Sequence, residues 1–235
     1  MKSLFVITSA ICTKFGVYDN KMRLAQTIST LASIRKYMPD AAILIAEASG
    51  GRSIDKHESN ELLKYADSII NLSSSPEILN LYSSTENWDV VKNGSEMMSC
   101  IKVYNYLLAS ETKYDRIFKL SGRYKLNDNF DVNVFRNNPD KIIFANKRSS
   151  QFSPETTGGL VQQYMCRLYS FPGSELQNMC GIFGQMFSDF IDTLNKKQYR
   201  DLEHLMHKYL HDKAMEIPTI GVEGLLGPTG KFVKD

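Results

Sequence analysis

The segment Tyr114-Asp115-Arg116-Ile117-Phe118-Lys119-Leu120-Ser121-Gly122-Arg123-Tyr124 places an apolar run directly before a polar turn carrying Lys119 and Arg123. In an open α/β sheet, ligands bind beyond the carboxyl ends of the strands, so polar groups at such a junction stand where chemistry occurs. Cations there suit an anionic ligand. The bland alternative is structural, with Arg123 on a core carboxylate and Lys119 in solvent. Thr8, Ser9 and Glu47 follow two earlier apolar runs in the same way. They could accept from hydroxyls or a ring N–H of a ligand, or merely satisfy local backbone.

Acidic and histidine clusters offer further chemistry. Asp201-Leu202-Glu203-His204 sits early in a helical pattern. A carboxylate against an apolar wall is suited to removing a hydroxyl proton, with Glu203 the first candidate and Asp201 the second. Acids are also favoured in first helical turns, where Asp201 would cap and Glu203 would face water. His204, His207 and His211 share a helical face, but one helix rarely supplies a whole zinc site, so His204 orienting Glu203 is the better use. Asp128 and Asp131 are the nearest carboxylates to a metal motif, in a stretch of turn composition. Glu223, between glycines, could reach a substrate as part of a lid or sit in a turn. Tyr82, Trp88 and Tyr124 could stack on a ring or pack the core.

The elements that must position these groups alternate. The apolar run from Leu4 to Ile11 reads as a strand, and Leu24, Ile28, Leu31 and Ile34 recur at helical spacing up to Pro39-Asp40. Ala42-Ile43-Leu44-Ile45-Ala46 is a buried strand that ends in the flexible loop Glu47-Ala48-Ser49-Gly50-Gly51. A short helix near Glu61–Tyr65 and a strand Ser68–Leu72 complete a βαβαβ pattern. Residues 73 to 95 read as a long binding loop, and Ser95-Glu96 opens a helix carrying Met97, Ile101, Tyr104 and Leu108. The strand at 117–120 follows. Further strands are expected at 141–145 and 162–169, the latter half-exposed and antiparallel, then helices at 175–195 and 199–212 and a glycine-rich tail. Strands separated by helices imply a mostly parallel, Rossmann-type α/β sheet with right-handed crossovers in one domain.

Composition excludes several classes. A chain of 235 residues, 43% hydrophobic and 23% charged, is ordinary for a folded domain. A formal charge of +2 is too weak a field to imply nucleic acid. No apolar stretch approaches the roughly 20 residues of a membrane helix. The N-terminus lacks a signal-peptide pattern. Cys12, Cys100, Cys166 and Cys180 are scattered, so reduced thiols in a cytoplasm are expected.

These residues carry a resemblance. The order of a nucleotide-binding βαβαβ half, a helix preceded by Lys92-Asn93-Gly94-Ser95-Glu96, the strand at 117–120 and a mixed second half resembles the GT-A glycosyltransferases. Phe118 to Tyr124 with Leu126 and Phe130, then Asp201 to His204, then Gly221 to Gly224, is also similar to a little-characterised bacterial and viral group of glycosyltransferase-like proteins. The resemblance implies a nucleotide-sugar-binding half at 1–125 and an acceptor-side half at 126–235. It implies transfer of a sugar from a nucleotide-diphosphate donor to a glycan acceptor, as in cytoplasmic glycan biosynthesis. It places base and ribose at Thr8, Ser9 and Glu47, and the diphosphate at the end of the strand. GT-A enzymes usually carry Asp-x-Asp there to hold a divalent metal. This chain has Ser121-Gly122-Arg123, which implies that Arg123, helped by Lys119 or Lys92, grips the diphosphate with no required cofactor; Mn2+ or Mg2+ is the alternative. The acidic motif implies a base at Glu203. Rival readings are a sugar-nucleotide nucleotidyltransferase, for which Cys12-Thr13-Lys14-Phe15-Gly16 is a poor phosphate loop, and a non-catalytic nucleotide- or glycan-binding module.

Overall fold

β1 (Ser3–Ser9) is almost wholly buried, as a parallel strand with helices on both faces must be. The computed structural model to which it belongs describes residues 1–50 and 52–235. α1 (Asn20–Tyr37) starts where Asp19 accepts from the Met22 amide and ends on Arg35 and Lys36, cations that suit its negative pole. β2 (Ala42–Glu47) pairs parallel with β1. Gly51, at the end of the expected flexible loop, lies outside the described residues. α2 (Lys56–Leu63) opens on a reciprocal capping box between Asp55 and Glu58, and β3 (Ser68–Asn71) adds parallel to β2. The expected βαβαβ half is therefore present.

The stretch 73–95 is not a binding loop. α3 (Pro76–Ser84) starts with proline in its first turn, and α4 (Trp88–Ala109) is capped by Asn87, which accepts from the Asp89 and Val90 amides. Lys92 to Ser95 thus lie inside a helix rather than before one. Gly94 is tolerated there because α3 packs against it: a Cβ would stand 3.0 Å from Leu81 Cδ2. Close tertiary packing outweighs glycine's cost in a helix, about 1 kcal/mol.

β4 (Arg116–Ser121) leads through a tight turn into β5 (Tyr124–Leu126), and α5 (Val132–Asn137) carries the chain to β6 (Ile142–Ala145). A small hairpin, β7 (Arg148–Ser149) with β8 (Gln162–Gln163), encloses the one-turn α6 (Pro154–Thr157). The strand expected at 162–169 is split: β9 (Leu168–Pro172) is a separate strand, buried throughout and inserted antiparallel between β4 and β6. Neighbours on both edges leave it no free edge, and the two core layers cover its faces, Tyr169 and Phe171 on one side and Leu168 on the other. α7 (Leu176–Asn195), α8 (Leu202–Leu210), β10 (Ala214–Ile217), β11 (Val222–Leu225) and β12 (Phe232–Lys234) complete the described elements.

The described residues form a mixed α/β domain around a seven-stranded, mostly parallel sheet of order β10-β6-β9-β4-β1-β2-β3, with β12-β11-β5 as a small second sheet. Strand periodicity sends alternate residues to opposite layers. Leu4, Val6, Leu44 and Ile117 pack with α4, α7 and α8, whereas Phe5, Ile7, Ile45 and Phe118 pack with α1, α2 and α5. Phe118 stacks on Phe5 at 4.6 Å between centroids and meets Phe135 edge-on at 4.9 Å. From β1 the chain winds outward through β2 and β3, then returns to the other side of β1 as β4. The winding reverses between β1 and β4. Among the described residues, no helix is long and apolar enough to cross a membrane.

Gly221 explains part of the Gly221–Gly224 motif. Its φ is +80°, and a Cβ would lie 2.3 Å from the Phe130 backbone. Only glycine lets the chain enter β11 past that turn. Gly221→Ala should lower stability by about 1–3 kcal/mol from the backbone conformation alone; an unchanged urea midpoint would contradict this.

Candidate functional site

In open α/β sheets ligands bind at the carboxyl ends of strands where the winding reverses, and a cleft of this protein lies there. Thr8, Ser9 and Ala10 reach it from the end of β1, and Ser121, Gly122 and Arg123 from the end of β4. α1 contributes Arg23 and Thr27, and α4 contributes Trp88, Lys92 and Glu96. The Gly122 amide donates to Thr8 O at 2.9 Å, and a Cβ on Gly122 would stand 3.2 Å from the same oxygen. Gly122 thus lets the two strand ends close against each other. Ser9 is spent locally, its hydroxyl 3.5 Å from Thr27 Oγ1.

Lys119 does not reach the cleft as expected. One residue before Leu120, it points to the α4 layer, is fully buried, and donates to Glu96 Oε1, to Ser121 Oγ at 2.8 Å and to Cys166 O at 3.0 Å. Glu96 Oε1 also accepts from Thr8 Oγ1 at 3.2 Å and Ser121 Oγ at 3.4 Å. Burial pushes the Glu96 carboxyl up, but Lys119, Lys92 and Arg123 outweigh it and the net shift is down. Burial likewise opposes the charge on Lys119, and Glu96 reverses that to a net rise. The pair is ionised.

Two other cations remain uncommitted. Lys92 lies one turn before Glu96, its Nζ 5.6 Å from the Trp88 ring centroid. Its ammonium is held up against burial by Glu203 and Glu96. Arg123 is half-buried in the cleft, and among the described residues its guanidinium has no hydrogen-bond or ion-pair partner. The small sheet frames it: a Cβ on Gly224 would stand 2.4 Å from Arg123 O, and one on Gly227 2.2 Å from Arg123 Nη1. Arg23 escapes a sequence reading. It donates to Ala10 O at 3.1 Å and Phe15 O at 3.0 Å, fixing the loop after β1. Burial, then the like charge of Arg123, lowers it to about 10. Its signal was available as a polar stripe, Arg23, Thr27 and Thr30, on the buried face of α1.

Other expected residues serve the scaffold. Glu47 is fully buried and does not line the cleft. It accepts from the Ile11 and Ser49 amides, both at 3.1 Å, and from the Ser49 hydroxyl. Burial raises its carboxyl. Asp201 caps α8 by accepting from the His204 amide at 3.0 Å, and its carboxylate meets His204 Nδ1 at 2.5 Å. His204 Nε2 lies 2.8 Å from Ser150 Oγ, so His204 braces the β7 region instead of orienting Glu203. His207 and His211 stack on each other at 5.0 Å, away from these partners. Glu223 pairs with Lys125 at 3.0 Å on the small sheet and takes no part in the cleft. Asp128 meets Tyr37 and Lys36 at the surface, and Asp131 caps α5. Tyr82, Trp88 and Phe15 line the cleft, whereas Tyr124 packs beneath Arg167.

Glu203 stands beside the cleft. Asn93 of α4 accepts from the Leu202 amide at 3.1 Å, which brings the start of α8 next to Lys92. Glu203 Oε2 is buried with no partner among the described residues. Burial raises its carboxyl, Lys92 opposes that, and Asp201 and Glu96 add to the rise.

A divalent cation finds a poor donor set here. Glu96 is the one carboxylate among the described lining residues, and it is held by Lys119 with Lys92 and Arg123 adding positive charge. Among the described residues, no group of three or more His, Cys, Asp or Glu side chains could hold a metal. The cleft is instead arranged for an anion, with two uncommitted cations and aromatic walls. No protein-family model matches the chain, and no curated protein does either.

Removing one partner of a buried ion pair leaves the other charge stranded, at about 3–5 kcal/mol. Lys119→Met should therefore lose that much in urea unfolding, and Lys119→Met with Glu96→Gln should recover most of it. Equal stability of the two variants would refute the pairing.

Proposed function

We propose that this protein is a GT-A-type glycosyltransferase that moves a sugar from a nucleotide-diphosphate donor to a glycan acceptor. The observation that carries the reading is Arg123, a half-buried guanidinium without a partner among the described residues, at the carboxyl end of β4 where the sheet winding reverses. Burying a charge without pairing is costly, so an anionic ligand is the natural complement. The cleft holds about 100 Å³, enough for a charged group, and the base and sugar of a donor would lie along its open side. Trp88 and Tyr82 supply ring surfaces there.

Glycosyl transfer develops negative charge on the departing diphosphate, and fixed cations at that point lower the barrier. Arg123 would hold two phosphate oxygens in a fork, and Lys92 would add a mobile point charge. Glu203 is the candidate base. Its unpartnered oxygen is buried beside the cleft, and its raised affinity for protons would suit it to take the acceptor hydroxyl proton where an acceptor displaces its cover. A base on the acceptor side favours direct displacement with inversion.

One observation favours a second reading. Asp201 and His204 are locked together as a helix cap, and Glu203 does not line the cleft. A nucleotide- or glycan-binding module without turnover would look the same.

A thermal-shift and hydrolysis screen against UDP-, GDP-, dTDP- and CMP-sugars, each with EDTA and with manganese, separates these readings. The transferase reading expects one donor to stabilise the protein and be hydrolysed in EDTA, with Arg123→Ala abolishing both. Stabilisation without turnover supports the binding module, and no shift under any condition removes the donor site. Glu203 works as a base only when ionised, and its proton affinity is raised. The acid limb of kcat/KM should accordingly lie above the ordinary glutamate value of about 4.3, with activity lost as pH falls through it. A limb at or below that value rules out Glu203.

A further inference from the structure

Glu96 poses a problem for an anion site, because a carboxylate in the same cleft repels phosphate oxygens. Its two oxygens differ. Oε1 is fixed by Lys119, Thr8 and Ser121, which set the plane of the group. Oε2 makes no hydrogen bond within the protein among the described residues, although Glu96 lines the cleft one helical turn from Lys92. The protein thus fixes one oxygen of an acceptor-only group that lines the cleft and supplies the other with no donor among the described residues. An ionised carboxylate can accept but not donate, so it requires a donor from the ligand. Phosphate oxygens offer none at neutral pH. A hydroxyl on the carbon skeleton attached to the phosphate does.

We infer that Glu96 is a specificity-determining residue whose Oε2 accepts a hydroxyl of the sugar in the donor. The site would then select a polyhydroxylated phosphoester over a bare nucleoside diphosphate. The inference rests on the transferase reading. Lys119 is then a positioning residue, holding Glu96 so that its free oxygen faces the sugar instead of folding back onto Arg123. Discrimination arises from both directions: the carboxylate attracts the hydroxyl and disfavours an uncapped, more highly charged diphosphate in its place.

Calorimetric titration of wild type and Glu96→Gln with UDP, GDP and dTDP, and with UDP-glucose, GDP-mannose and dTDP-glucose, tests this. A hydrogen bond to a charged group corresponds to about tenfold to a hundredfold in affinity. Glu96→Gln should weaken the favoured hexose nucleotide by that factor and bind the matching nucleoside diphosphate as tightly as wild type or more so. If both ligands change by the same factor, Glu96 does not read the sugar, while the donor site stands. If wild type binds none of the six, the inference and the transferase reading fall together. Should Glu96→Gln not fold, Glu96→Gln with Lys119→Met removes both buried charges and gives the same comparison.

Discussion

The buried ion pair between Lys119 on β4 and Glu96 on α4 is the interaction on which the site depends. A lysine with no exposed surface in the middle of a sheet is affordable only with a carboxylate and further acceptors around it, and Lys119 has Glu96, Ser121 and Cys166 O. That requirement fixes α4 against the sheet at one height. It also draws in Thr8, so the ends of β1 and β4 and the middle of α4 become one rigid unit. A network with most of its members satisfied resists rearrangement.

From this constraint follows a division of labour among the cations. Lys119 and Arg23 are spent on the scaffold, one on Glu96 and one on the carbonyls of Ala10 and Phe15. Lys92 and Arg123 are left to the cleft. Had Lys119 faced the ligand, Glu96 would be free to approach Arg123 and neutralise it. The same economy holds among the acids. Asp201, Asp128 and Asp131 each satisfy backbone amides or local partners, and Glu47 does so through Oε1, while one oxygen each of Glu203 and Glu47 is buried without a partner among the described residues.

The glycines of the second half serve this arrangement too. Gly221 admits the chain past Phe130, and Gly224 and Gly227 leave room for the backbone and guanidinium of Arg123. The small sheet therefore acts as a frame for Arg123, and a motif that reads as a lid in the sequence is a buttress in three dimensions. Glu223 between them is turned to Lys125.

Local chemistry was enough to determine the alternation of strands and helices, the βαβαβ start and the position of the Ser121-Gly122-Arg123 junction at the end of a strand, because these depend on apolar periodicity and on where polar residues interrupt it. The helices at 76–84 and from 88 onward were obscured by a polar, serine-rich composition and by Gly94, whose presence makes sense only against Leu81. The burial of β9 was obscured because the alternation expected at 162–169 resembles an edge strand, and only insertion between β4 and β6, under core layers on both faces, buries it. The fates of Lys119, Glu47 and His204 were equally hidden. Whether a charged side chain meets ligand or protein is decided by partners distant in sequence, such as Glu96 for Lys119 and Ser150 for His204, and only the tertiary fold brings those partners together.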